Sequence, residues 1–158
     1  MSLQFIYLAE RPDELDTVAS WYFDEWGHFH PGKTVEDTRA RLKETLNIDH
    51  MPFILLGINN GTVVGAAELK YREMADMFPE KEHWLGGVYV AAEHRGHGYG
   101  SALANEIAAR APSYGVAQLY LQTERLDGGL YLGLGWEPEQ QVDNHGIQVQ
   151  VMVRSVGA

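Results

Sequence analysis

Three glycines in five positions, Gly96, Gly98 and Gly100, stand between an apolar run and an alanine-rich run in the stretch VYVAAEHRGHGYGSALANEIAARA, residues 88–111. A glycine-rich turn that opens a helix presents backbone N–H groups with no intrahelical partner and the positive end of the helix dipole, a combination suited to phosphate oxygens. The same glycines equally supply the positive φ of a tight strand-to-helix turn. Downstream, Tyr131 in LYLGLGW offers a phenol that can hold or release a proton. His28 and His30 have the separation of a metal pair, but no third ligand lies near them in the sequence, so no metal is expected. The chain has no cysteine, which excludes a thiol nucleophile, a thiolate metal site and a disulfide framework.

These residues need a scaffold, and the periodicity of the chain supplies one. Residues 3–9, LQFIYLA, read as a strand. Pro12 then opens a run in which Leu15, Val18, Ala19, Tyr22, Phe23 and Trp26 recur at helical spacing. Thr34 followed by Asp37 resembles a capping box at the start of a second helix carrying Val35, Leu42 and Leu46. PFILLGI and TVVGAAELKY are β-rich runs separated by NNG, a hairpin signal. REMADMFPEKEH, polar with an internal proline, reads as a loop or short helix before the strand WLGGVYVA. Beyond the glycine turn, a helix places Leu103, Ile107 and Ala111 on one stripe. It is followed by the strand VAQLYLQT, a short helical piece GLYLGLGW, and two strands near 137–143 and 146–153 turned at DNHG. The order β-α-α-β-β-β-α-β-α-β-β predicts a mixed α/β sheet of about seven strands flanked by helices, with residues 1–158 as a single domain.

Composition narrows the partners. At 158 residues the chain suits one domain with a real core, and 45% hydrophobic residues with 22% charged ones are those of a folded protein. Twelve basic residues against 22 acidic ones give a net charge of −10, which argues against a nucleic-acid binder and suits cationic partners such as amines. The N-terminal MSLQFIYLAERPDEL has no basic n-region, and its apolar run is too short to span a bilayer. A cytoplasmic protein with no membrane partner is expected.

The position of the glycine turn separates two readings of it. A dinucleotide fingerprint belongs to the first βαβ unit and needs G-x-G-x-x-G, yet here the turn falls beyond residue 95 and Ser101 occupies the final glycine's place. A nucleotide-triphosphate loop needs a closing lysine that GYGSAL lacks.

With these set aside, RGHGYG at 95–100 resembles the Arg/Gln-x-x-Gly-x-Gly/Ala signature of the GCN5-related N-acetyltransferases. LYLGLGW at 130–136 resembles the same family's Leu-Tyr-x-x-x-Gly-Phe/Trp segment. The element order extends the resemblance over almost the whole chain. It implies acetyl-CoA as co-substrate, its pyrophosphate on the backbone around Arg95, Gly96, His97, Gly98, Tyr99, Gly100 and Ser101. It further implies a pantetheine arm along Val88, Tyr89 and Val90, where two parallel strands splay apart. The same resemblance makes Tyr131 the acid that protonates the departing thiolate.

For the base, which the resemblance leaves to a carboxylate or a water near the central strands, Glu82, His83, Glu68 and Glu124 stand as alternatives. Each is equally readable as a solvated or strand-end polar residue. Many members carry an asparagine where this chain has Glu124, so a cofactor contact there is not inherited. Acceptor selection should come from YFDEWGHFHPGK, REMADMFPEKEH and DNHG. Tyr22, Phe23 and Trp26 read as a core stripe, with Trp26 to His30 as candidate pocket lining. The expected function is acetyl transfer from acetyl-CoA to a primary amine, in a small molecule or a peptide, by direct attack. A non-catalytic acyl-CoA-binding regulatory domain is the alternative, and a nucleotide-dependent oxidoreductase is the third reading. A homodimer is compatible with all of these.

Overall fold

The computed structural model describes residues 3–157. The main elements are β1 (Gln4–Tyr7), α1 (Leu15–Trp26), α2 (Val35–Lys43), β2 (Phe53–Asn59), β3 (Thr62–Tyr71), β4 (His83–Val90), α3 (Tyr99–Arg110), β5 (Gln118–Thr123), β6 (Glu137–Asn144) and β7 (Ile147–Ser155). All seven strands join one mixed sheet in the order β1-β2-β3-β4-β5-β7-β6. Antiparallel pairing is broken once, between β4 and β5, which run parallel because α3 carries the chain back across the sheet.

Local chemistry explains most boundaries. Asn60 and Gly61 both take positive φ, 51° and 79°, as the two-residue hairpin between β2 and β3 requires. Thr34 accepts a hydrogen bond from the Asp37 amide, and the Asp37 carboxylate accepts one from the Thr34 amide, which starts α2. The first strand is shorter than the run LQFIYLA predicts. Leu8 and Ala9 turn into a 3-10 segment, because the Tyr7 amide donates to the Glu10 side chain and Leu8 drops into the core.

Both faces of the sheet are covered. Phe53, Leu55, Ala67, Leu69 and Leu85 meet Leu103, Ala104 and Ile107 of α3 on one face. Ile54, Leu56 and Ala66 meet Leu15, Val18, Ala19, Tyr22 and Leu42 of α1 and α2 on the other. Burial of β2 is therefore continuous rather than alternating. Each fully buried leucine or isoleucine contributes about 2 kcal/mol by leaving water, so α3 is firmly held by its inner stripe, Leu103 and Ile107.

Two irregularities shape the centre. Ala66 pairs with Tyr89 and Glu68 with Gly86, so two steps along β3 span three along β4 and a bulge forms around Gly87. Gly87 has a φ of 57°, and a Cβ there would overlap the hydroxyl and ring of Tyr22. Beyond the bulge, β4 does not rejoin its parallel neighbour, since Trp84 and Tyr120 are the one registered pair between β4 and β5.

Candidate active site

The separation of β4 from β5 opens a cleft of about 370 Å³. Its walls are Val88, Tyr89 and Val90 of β4, Arg95, Gly96, Gly98, Tyr99, Gly100 and Ser101 of the turn and first helical turn, and Leu130, Tyr131 and Glu25 opposite. The predicted binding residues thus converge, with one exception. His97 lies outside the cleft lining and sets its ring 5.6 Å from that of Tyr99.

The turn has the form an anion needs. Gly98 caps α3 in the left-handed region, and Gly96 shares that conformation with a φ of 85°. A Cβ on either would meet no protein atom within 4 Å, so both faces are bare toward the cleft. The first amides of α3 have no intrahelical acceptor and carry the positive end of its dipole. Arg95 is held by donation from Nε to the Val90 carbonyl at 2.8 Å and by stacking over the Tyr89 ring at 5.3 Å. Its Nη groups have no partner among the described residues. These features fit a pyrophosphate.

Tyr131 stands on a 3-10 segment, Gly129–Leu134, bracketed by Gly128 and Gly135, each with a φ of 90°. Its ring meets the buried Trp136 edge-on at 6.1 Å, which fixes its direction. Burial, and secondarily the Glu73 carboxylate, push its hydroxyl up to about 12. It therefore stays protonated at any physiological pH.

The four carboxylate and imidazole candidates for a base do not gather. Glu82 is tied to Arg72 at 3.1 Å in solvent. His83 begins β4, five residues and roughly 16 Å of strand from Val88. Its ring lies 5.7 Å from that of Tyr71. Glu124 pairs with His28 at 3.4 Å on the rim, and His30 is not part of that pair. No group of His, Cys, Asp and Glu suited to a metal occurs among the described residues. Glu68, read from sequence as a surface or strand-end charge, is instead only 1% exposed. It is held by Nη1 of Arg41 at 3.2 Å, because α2 lays that guanidinium over β3.

The reading from sequence missed one carboxylate. Glu73, in the segment after β3, places Oε1 2.8 Å from where a Gly86 Cβ would stand. That oxygen is 3.1 Å from Nζ of Lys70, and Oε2 accepts from Nε2 of Gln122 at 2.8 Å. Asn144 in turn donates to Gln122 at 2.8 Å, so a polar chain crosses from β6 to β3. The signal for it is the Gly86-Gly87 pair inside a strand, since glycines there mark a close approach. Nearby, burial, with Lys70 and Arg41 after it, holds His30 below the ordinary histidine value. Burial, then Glu68, drives the Tyr22 hydroxyl well above the ordinary phenol value.

Solved structures with this arrangement include an N-acetyltransferase from Staphylococcus aureus Mu50, 14% identical, with TM-score 0.75 and 99% of each chain covered. A ribosomal-protein-alanine N-acetyltransferase from Brucella melitensis is 19% identical, with TM-score 0.73, over 97% of this chain and 99% of that one. An aminoglycoside 6'-N-acetyltransferase complexed with coenzyme A is 13% identical, with TM-score 0.73, over 100% and 98%. At such identities the likeness is one of fold. No curated protein matches in sequence. The family model described as acetyltransferase (GNAT) family matches residues 15–129, which run from α1 through the glycine turn and β5 to the threshold of Tyr131, and the chain belongs to that family.

Proposed function

We propose that the chain transfers an acetyl group from acetyl-CoA to a primary amine by direct attack. The observation that carries this reading is convergence: the bare glycine turn, the open edge of β4 and the Tyr131 phenol all face one cleft. In it, Gly96, Gly98, Gly100 and Ser101 hold the pyrophosphate through their amides, with Arg95 beside them and His97 outside. Val88, Tyr89 and Val90 receive the pantetheine arm along their backbone.

Acetyl-CoA supplies the activated acyl group, and the protein's part is to orient and protonate. The amine nitrogen bonds to the thioester carbonyl carbon, the carbon–sulfur bond breaks, and the leaving sulfur takes the Tyr131 proton. Burial raises the phenol, and a thiolate forming in the same apolar cleft also gains basicity, so the transfer is not set against the free-solution values.

The test is release of free thiol from acetyl-CoA with spermidine, kanamycin, lysine and a short peptide as acceptors. Wild-type protein should release thiol with at least one of them. Tyr131→Phe should lower kcat on the order of a hundredfold while keeping affinity for coenzyme A. Binding of acetyl-CoA without release on any amine would instead mark a non-catalytic acyl-CoA-binding domain. Unchanged turnover in the phenylalanine variant removes Tyr131 from the acid's role.

A further inference from the structure

We propose that the space over Gly86 is the acceptor's ammonium subsite and that Glu73 takes the proton from the bound amine. The inference rests on the acetyl-transfer reading and names the part of that site the glycine turn does not supply.

Three independent observations place it. The first is the floor. Gly86 lies where β4 is about to leave β5, two residues before Val88, and only its missing side chain lets Glu73 Oε1 and Lys70 Cδ stand 2.8 and 2.9 Å from the would-be Cβ. The second is the way the carboxylate is held. Lys70 from β3 and Gln122 from β5 each engage one oxygen, and a carboxylate has about four lone-pair positions, so acceptor capacity remains. The third is Tyr22. Its hydroxyl is 4% exposed as a residue, reaches the adjacent Gly87, and has no hydrogen-bond partner among the described residues. A buried polar atom without a partner costs about 1–3 kcal/mol, and a donor or acceptor arriving at the bulge removes that cost.

The charges around the subsite define what else acts there. Glu68 of β3 is neutralised by Arg41 of α2, which leaves Glu73 as the carboxylate turned toward the open strand edge. His30 lies near Lys70 and Arg41, whose charges disfavour its protonated form, so it is not a competing cation. The coupling of Tyr131 to Glu73 places the two groups on one cleft. The proton route then balances. The ammonium gives one proton to Glu73, and its lone pair forms the carbon–nitrogen bond as the carbon–sulfur bond breaks. Sulfur takes the Tyr131 proton, the amide nitrogen returns its second proton to the tyrosinate, and Glu73 passes its own to water. The products are an amide, a thiol and one proton.

Glu73→Gln keeps the shape and still accepts from Gln122. With the best acceptor of the panel named above, it should lower kcat/KM on the order of a hundredfold with unchanged coenzyme A affinity and unchanged Tm. Its rate should climb roughly tenfold per pH unit toward the pKa of the free amine, where wild type is level, because solvent must now remove the proton. Gly86→Ala is a second probe. Its methyl group displaces the ends of two flexible side chains rather than backbone, so the fold persists while Glu73 is moved aside, and kcat/KM should fall likewise. A Glu73→Gln enzyme within about twofold of wild type, with the same pH profile, overturns the assignment and leaves acetyl transfer intact. If wild type releases no thiol with any amine of the panel, both fall.

Discussion

Tyr131 keeps its proton longer than an ordinary tyrosine. An acid must be protonated to act, and a raised value means the competent form persists above pH 10 and is lost only as pH rises through about 12. The expected kcat is therefore level through pH 10, where an unburied phenol would already have lost about half its activity. A fall centred near 10 in the pH–rate profile would show that the phenol is solvated in the working enzyme. Tyr131 was legible in the sequence because a motif surrounds it. Glu73 was not, because REMADMFPEKEH has no periodicity and its glutamates look alike until β3, β5 and Gly86 close around one of them. Glu68 misled for the opposite reason. A charged residue in a strand reads as exposed unless the reader knows that Arg41, 27 positions earlier, will cover it.

At the scale of elements, the bulge in β4 is where backbone and side chain depend on each other. Gly87→Ala asks an alanine to adopt a φ of 57° and to occupy space held by the Tyr22 ring. Strain and overpacking together should cost about 2–4 kcal/mol, measured by denaturant unfolding. A loss under about 1 kcal/mol would mean that α1 moves aside easily. Turns and caps were the most legible elements. The Asn60–Gly61 hairpin and the Thr34–Asp37 box obey rules that span four residues or fewer. The end of β1 was not, since LQFIYLA is β-rich throughout and it is Leu8, turning into the core between helix and sheet, that breaks the strand. The separation of β4 from β5 was equally hidden, since pairing between strands about 30 residues apart leaves no local trace.

The molecule as a whole should report its ligand through stability. Coenzyme A at about a hundred times its Kd adds roughly 2.7 kcal/mol to the folded state, a rise in Tm of roughly 5–10 °C for a chain of this size. NAD at the same concentration should leave Tm unchanged, and stabilisation by NAD alone would return the glycine turn to a dinucleotide. The overall plan was readable from element order. Net charge was a poorer guide, because a total of −10 says nothing of the cleft, where Lys70, Arg41 and Arg95 stand among the acids.

The single Trp84–Tyr120 pairing also bears on solubility. A sheet normally shows bare edges only at its two margins, but this one carries another pair in its middle, where β4 and β5 turn unpaired amides and carbonyls toward each other across open space. Neighbouring chains are kept from adding a strand there by the bulge at Gly87, by Trp21 stacked 5.2 Å from Tyr89, and by Arg95 over that same ring. The side chains that frame the cleft are thereby also its guard against self-association, and trimming them carries a risk of aggregation that no loss of affinity would reveal.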